Sequence, residues 1–299
     1  MGGLVYKAVN KEIIDQHNES YKSALDFDFD YLEKKLKQSQ IDIHKIKDQV
    51  KNFQVAVPTW GVGTGGTRFA RFPGIGEPQN IYEKIEDCAV INDLMGFTQK
   101  VSPHFPWDNV KDFSELKIFA DSYGIGFDVV NSNTFQDSED ISESFKYGSL
   151  TNTSSTARDK AIEINLKAID NGRILGSRGL TVWIGDGGNF PGQMSFSRSL
   201  ERYIDSMKKI YSHLPKDWTV LLEHKPYEPA FYSTVISDWG TSYICAKELG
   251  DKAMCLVDLG HHLPNTNIEM IVSRLIDLKK LGGFHFNDSK FGDDDLDAG

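Results

Sequence analysis

The chain has 299 residues, of which 39% are hydrophobic and 25% charged, enough apolar content for a sizeable core inside an ordinary charged surface. Against 33 basic residues stand 43 acidic ones, a net charge of −10 with no basic block, which excludes nucleic acid and anionic membrane as natural partners. The length suits about two average domains or one α/β barrel.

Lys7, Lys11, Glu12 and Asp15 interrupt the N-terminal region, so no signal peptide is expected there, and no apolar stretch suits a membrane span. Cys88, Cys245 and Cys255 form an odd set without C-x-x-C spacing, as expected of reduced thiols in a cytoplasmic protein. Residues 1–50 form the first predicted region, a helical extension. "YLEKKL" and "IDIHKIKDQV" place apolar residues at helical spacing among charges.

Residues 51–299 form the second, a catalytic domain with a different rhythm. Short runs of β-formers, "FQVAVPTW", "FTQKVSPHF", "GIGFDVVNSN", "GLTVWIGDG", "TVLLEHKP", "AMCLVDLG" and "GGFHFND", alternate with helical segments. One of these is "SFSRSLERYIDSMKKIY", whose Phe196, Leu200, Tyr203, Met207 and Tyr211 share a predicted apolar face. Such alternation predicts a parallel sheet with helices outside it, buried on both faces. About seven strand units are counted where a (β/α)8 barrel has eight. An open doubly wound sheet is the alternative. "SLTNTSSTARD" reads as a polar loop running into a helix capped near residues 154–156.

"GVGTGG" formally matches a dinucleotide fingerprint, but Pro73, Gly74, Gly76 and Pro78 follow it, so no helix can open to receive a pyrophosphate. The segment 61–78 is expected to be a long loop at the barrel mouth. Its Arg68, Phe69 and Phe72 are suited to a lid or an arm toward another subunit.

The polar residues at the strand ends carry the chemistry. Glu223 and Lys225 are two apart in "LLEHKP", so a strand turns both to one face while His224 points away. Asp258 ends an apolar run in "LVDLGHH", with His261 following, and His285 and Asn287 share a face in "GGFHFND". Asp293 and Asp295 follow in "GDDDLD". Strand C-termini of a parallel barrel open on one rim. Glu223, Asp258, His261, His285, Asp293 and Asp295 are therefore expected to converge, and so many carboxylates need cations between them. Mixed carboxylate and imidazole ligands suit Mn²⁺, Co²⁺ or Zn²⁺, and six ligands suit two ions. With Lys225 beside them, that set favours aldose–ketose isomerisation over hydrolysis. His104 in "SPHFPWD" and Trp183 in "VWIGDGG" are candidate sugar contacts.

"VAVPTWGVGTGGTRFARFPG", "SPHFPWD", "VWIGDGGNFPGQ", "LLEHKPYEPAFYST", "VDLGHHLPNTNIE" and "GGFHFNDSKFGDDDLDAG" together resemble L-rhamnose isomerase, in its broad-specificity branch, among the xylose isomerase-like barrels. The resemblance runs from about residue 50 onward. It implies a Mn²⁺-dependent interconversion of L-rhamnose and L-rhamnulose, with side activity on D-allose and D-psicose. By motif, Glu223 bridges two metals. Asp258 and His285 then complete a structural site, and His261, Asp293 and Asp295 a catalytic one. Lys225 contacts substrate oxygens, His104 and Trp183 line the sugar site, and Phe69 reaches a neighbouring subunit's site in a tetramer. The family continues past "DDDLDAG" into an eighth strand and a further bridging aspartate, so the resemblance also implies either a fragment or a truncated product with weak metal binding and little turnover. The alternatives are a metal-dependent ketose 3-epimerase on the same barrel and a metal-binding remnant without activity.

Overall fold

The computed structural model describes residues 9–53, 55–65, 74–137, 142–227 and 232–289. In chain order the elements are α1 (Lys11–Gln38), α2 (Ile43–Asn52), β1 (Ala56–Pro58), α3 (Thr59–Val62), α4 (Ile81–Met95), β2 (Lys100–Ser102), β3 (His104–Phe105), α5 (Phe113–Ser122) and β4 (Gly126–Phe127). Then follow β5 (Val130–Ser132), α6 (Ser155–Leu175), β6 (Gly179–Val182), α7 (Phe196–His213), β7 (Thr219–Glu223), α8 (Trp239–Leu249), β8 (Ala253–Asp258), α9 (Ile268–Asp277) and β9 (Leu281–His285).

These elements belong to two compact units. The first holds α1 to β2, α5 and β4, with a three-stranded sheet ordered β1-β2-β4. Asn10 caps α1 by accepting from Glu12 N, and Asp42 caps α2 by accepting from His44 N and Lys45 N. Lys11 Nζ on α1 reaches Asp93 at the end of α4 at 3.3 Å, an exposed contact that contributes little stability.

The second unit holds β3, β5 and everything after it, with a six-stranded sheet ordered β3-β5-β6-β7-β8-β9. Every strand pairing in both sheets is parallel and follows chain order, with a helix after most strands, as in an α/β barrel. Two predicted strands are each divided. Pro103 has no N–H for a ladder and separates β2 from β3, and β4 and β5 part at residues 128–129. No helix among the described residues is long and apolar enough to cross a membrane.

The six-stranded sheet has two unlike faces. Val130, Leu180 and Val220 share a rung, and the Val130 methyls lie so close to Gly172 of α6 that a methyl group there would meet them at 2.9 Å. Ser132, two residues on, bonds Asn165 of the same helix. This face, with Val182 and Leu222, packs on the helices. The opposite face carries Asn131, Thr181 and Leu221 on one rung, and Glu223 beside Leu256 above it.

The buried side of α7 is Ser199, Tyr203, Ser206, Met207 and Ile210. Tyr203 and Met207 match the predicted face, but Phe196 is 49% exposed. The helix is rotated because Ser206 Oγ donates to Leu150 O and Arg202 Nε to Thr151 O, bonds that seat it on the loop after β5. Ser154 caps α6, its hydroxyl accepting from Ala157 N. That loop is organised by Asp186, a buried carboxylate accepting from the N–H and hydroxyl groups of both Ser149 and Thr151 at 2.7 to 3.0 Å. Cys88, Cys245 and Cys255 are all buried.

Candidate metal centre

Glu223 ends β7 on the face away from the helices, and Asp258 and His285 share a rung at the ends of β8 and β9. Strand alternation and register alone thus bring these three together, as the sequence spacing predicts. His285 Nδ1 lies 3.2 Å from Glu223 Oε1 and 3.3 Å from Asp258 Oδ2. His261 comes from the turn after β8, with Nδ1 3.2 Å from the same Glu223 oxygen and 3.7 Å from Asp258 Oδ2. Its Nδ1 is also 3.1 Å from the His224 carbonyl. A proton on Nδ1 donated to that carbonyl leaves Nε2 with the lone pair a metal needs.

The turn is held from below. Gly260 N and His261 N donate to Asp258 Oδ1 at 2.9 and 3.1 Å. Asn287 adds a second brace, accepting from Gly260 N at 2.7 Å and donating through Nδ2 to Asp258 Oδ2 at 3.1 Å. The sequence had placed Asn287 on the face of His285, but its partners there are visible only in the structure.

Electrostatics bind the cluster into one unit. Burial pushes the Glu223 carboxyl up, but His285 and His261 together outweigh it and hold the group well below the ordinary carboxylate range. Burial pulls His285 down, yet Glu223 and Asp258 win and raise it to about 10. His224, turned away as predicted, is kept neutral by burial and by the neighbouring His262 and His261, which bring it down to about 3. Glu223, Asp258 and His261 each offer a ligand atom within 4.8 Å of the others. Two buried carboxylates sharing two imidazoles at these distances are a donor set that a divalent cation fits, replacing the protons that otherwise balance the charge.

Of the remaining predicted residues, His104 lies on β3, and Trp183 and Lys225 lie just past the ends of β6 and β7. Lys225 lies two residues beyond Glu223, with Nζ 5.5 Å from the ring centre of Trp183. Trp183 in turn meets Phe135 edge-on at 4.9 Å, and Phe135 meets Trp107 at 5.7 Å. Phe135 was not foreseen, although "NTF" after β5 repeats the strand-end spacing that singled out Glu223 and Lys225. His104 shares a rung with Asn131 and Thr181, one step deeper than Glu223. Phe69, Asp293 and Asp295 lie outside the described residues.

No family model matches the chain. A probable sugar isomerase of Mesorhizobium japonicum is 58% identical over 291 residues, 97% of this chain and 67% of the relative. Among solved structures, a D-allulose 3-epimerase from Methylomonas sp. matches with a TM-score of 0.58 and 16% identity, over 79% of this chain and 72% of its own. The 3-keto-D-glucoside 4-epimerase of E. coli matches with a TM-score of 0.56 and 16% identity, over 76% and 78%. These structural likenesses show the xylose isomerase-like barrel fold. The comparisons also correct the resemblance to L-rhamnose isomerase: the 58% relative is named only for a sugar isomerase, and the solved neighbours are sugar epimerases. Strand-end carboxylates and imidazoles belong to the barrel type more widely than to one sugar.

Proposed function

Because the chain belongs to the family of that probable sugar isomerase, we propose that it is a divalent-metal-dependent aldose–ketose isomerase, moving hydrogen between C1 and C2 of an open-chain sugar. The observation that carries this reading is the placement of Lys225. Its ammonium stands over the Trp183 ring, and the residue follows Glu223 by two positions, just past the end of β7. There it can stabilise negative charge building on a sugar oxygen as hydrogen leaves the neighbouring carbon. A divalent ion held by Glu223, Asp258, His261 and His285, when bound, supplies Lewis acidity to adjacent sugar oxygens.

The rest of the work falls to the chain's own groups. Asn287 and the Gly260 and His261 amides fix the Asp258 carboxylate, so both of its oxygens are aimed before substrate arrives. Trp183 and Phe135 offer aromatic surface to the C–H face of a sugar and keep water from the reacting carbons. Mn²⁺ suits this mixed ligand set, as do Co²⁺ and Zn²⁺. The proposal extends to a second ion, which takes His261 over from the first and adds Asp293 and Asp295, to sugar contacts from His104 and from Phe69 of a neighbouring subunit, and to a tetramer. An odd number of cysteines, without C-x-x-C spacing, supports a cytoplasmic setting.

A ketose 3-epimerase is the second reading, favoured by one observation. Among the described residues a single group of carboxylate and imidazole ligands forms, enough for one ion. One experiment separates the two. Metal-stripped protein is supplied with Mn²⁺ and D-allulose, and the products are read by ¹³C NMR. D-allose is expected for the isomerase, D-fructose for the epimerase. If neither forms, and a panel of pentoses and hexoses is also untouched, the enzymatic reading fails.

A further inference from the structure

Two buried polar groups just past the ends of β5 and β6 have no hydrogen-bond partner among the described residues. Ser132, Val182 and Leu222 share a rung across β5, β6 and β7. Asn133 and Trp183 directly follow β5 and β6, and Glu223 ends β7; strand alternation continued by one residue turns all three away from the helices. Phe135, two residues past Asn133, meets the Trp183 ring at 4.9 Å, which brings the ends of β5 and β6 together on this side. Asn133 is 6% exposed, and its Nδ2 has no hydrogen-bond partner among the described residues. Trp183 Nε1, on the neighbouring strand, is buried and equally unpartnered, and so is Thr181 Oγ1 one step deeper on the same face.

The contrast with the other face is instructive. Ser132, immediately before Asn133, is bonded to Asn165, whose Nδ2 donates to Ala161 O. The Ser132 hydroxyl is thus satisfied, whereas Asn133 Nδ2, Trp183 Nε1 and Thr181 Oγ1 have no partner among the described residues. Folded chains rarely bury amides without partners, because the lost hydration is not returned. Where several occur side by side next to a ligand cluster, the missing partner comes from outside the chain.

We propose that Asn133 is a substrate-binding residue, its amide and the Trp183 indole N–H together holding oxygens of a polyhydroxy sugar beside Glu223. A hydroxyl suits this place in a way an anion or an apolar group does not. It donates and accepts, so it satisfies the Asn133 amide in either orientation of that group, and it can also meet the Thr181 hydroxyl. A site built on such bonds discriminates against sugars that lack the matching hydroxyl far more sharply than an apolar pocket does. Asn133 thus becomes a determinant of which sugar is accepted, a role that rests on the sugar-isomerase reading.

The test uses the full chain loaded with Mn²⁺, with Asn133→Leu, which keeps the volume and removes the amide, and Asn133→Ala as a second variant. D-allulose is the probe, or whichever sugar the wild type turns over. KM is expected to rise at least tenfold in both variants, with Mn²⁺ affinity within about twofold of wild type. The Tm without sugar should be unchanged or higher, since an unpaired buried amide has been removed, and the rise in Tm on adding sugar should shrink. A lowered Tm with unchanged KM in a soluble variant would show a structural role and overturn the proposal, as would wild-type KM in both variants. If the wild type itself neither binds nor converts any sugar, the isomerase reading fails instead, and that outcome is distinct.

Discussion

On the proposed reading, the ammonium of Lys225 is what makes an isomerase of a metal-binding cluster. Lys225→Met keeps the length of the side chain and its packing against Trp183 but removes the charge. The expected outcome is a fall in kcat of about a hundredfold or more, the scale of losing one group that stabilises transition-state charge, with Mn²⁺ affinity unchanged by calorimetry. His285 gives a second prediction at this scale. Its imidazole is raised to about 10 by Glu223 and Asp258 against the opposing effect of burial, although 35% of the side chain stays in solvent, which screens part of that interaction. A group with a raised folded pKa stabilises the metal-free protein fully below its unfolded value near 6.5, and this contribution is lost as pH climbs through about 10. Mn²⁺ must displace that proton. Between pH 6.5 and 10 binding should release about one proton per ion and strengthen about tenfold per pH unit, as calorimetry in buffers of different ionisation heat would show.

The residues themselves were unevenly legible. Glu223, Asp258, His261 and His285 are charged or titratable groups ending apolar runs, and that contrast is visible in a bare sequence. Asn133 and Asn287 are neutral amides at strand ends, indistinguishable there from ordinary turn residues. Only the pairing of one, and the lack of pairing of the other, sets them apart.

Elements carry a different kind of information. The strand positions from β6 to β9 were readable because each is a continuous apolar run between polar segments. The splits at Pro103 and at residues 128–129 were not, since hydrogen-bond ladders depend on the neighbour's register as well as on the strand. The rotation of α7 was hidden for a similar reason, being set by carbonyls of Leu150 and Thr151 on another segment. Asp186 anchors that segment, and nothing in its sequence context advertises this. Asp186→Ala leaves four donors of Ser149 and Thr151 without their acceptor in a buried place. The expected cost is about 3 kcal/mol or more in urea unfolding, far beyond that of alanine at the exposed Asp217.

For the whole molecule, alternation of strands and helices was enough to predict the barrel class, while the choice of sugar was beyond it. Parallel order constrains where strand ends lie, and pocket stereochemistry is set by a few side chains that any such barrel can vary. The metal ties these levels together, because its ligands come from three successive strands and a turn. Saturating Mn²⁺ at about a hundred times its dissociation constant should stabilise the chain by about 2.7 kcal/mol. A chelator should reverse the gain, read as a drop in Tm that Glu223→Gln abolishes.

The order of the sheet has a temporal consequence. Strands β5 to β9 pair with their immediate successors, so the sheet can grow by adding one βα unit at a time. Glu223, Asp258 and His285 sit on the last three of those strands. On the proposed reading, a divalent ion meets these three ligands together only when β9 has docked, so its capture during refolding would serve as a clock for that step of assembly.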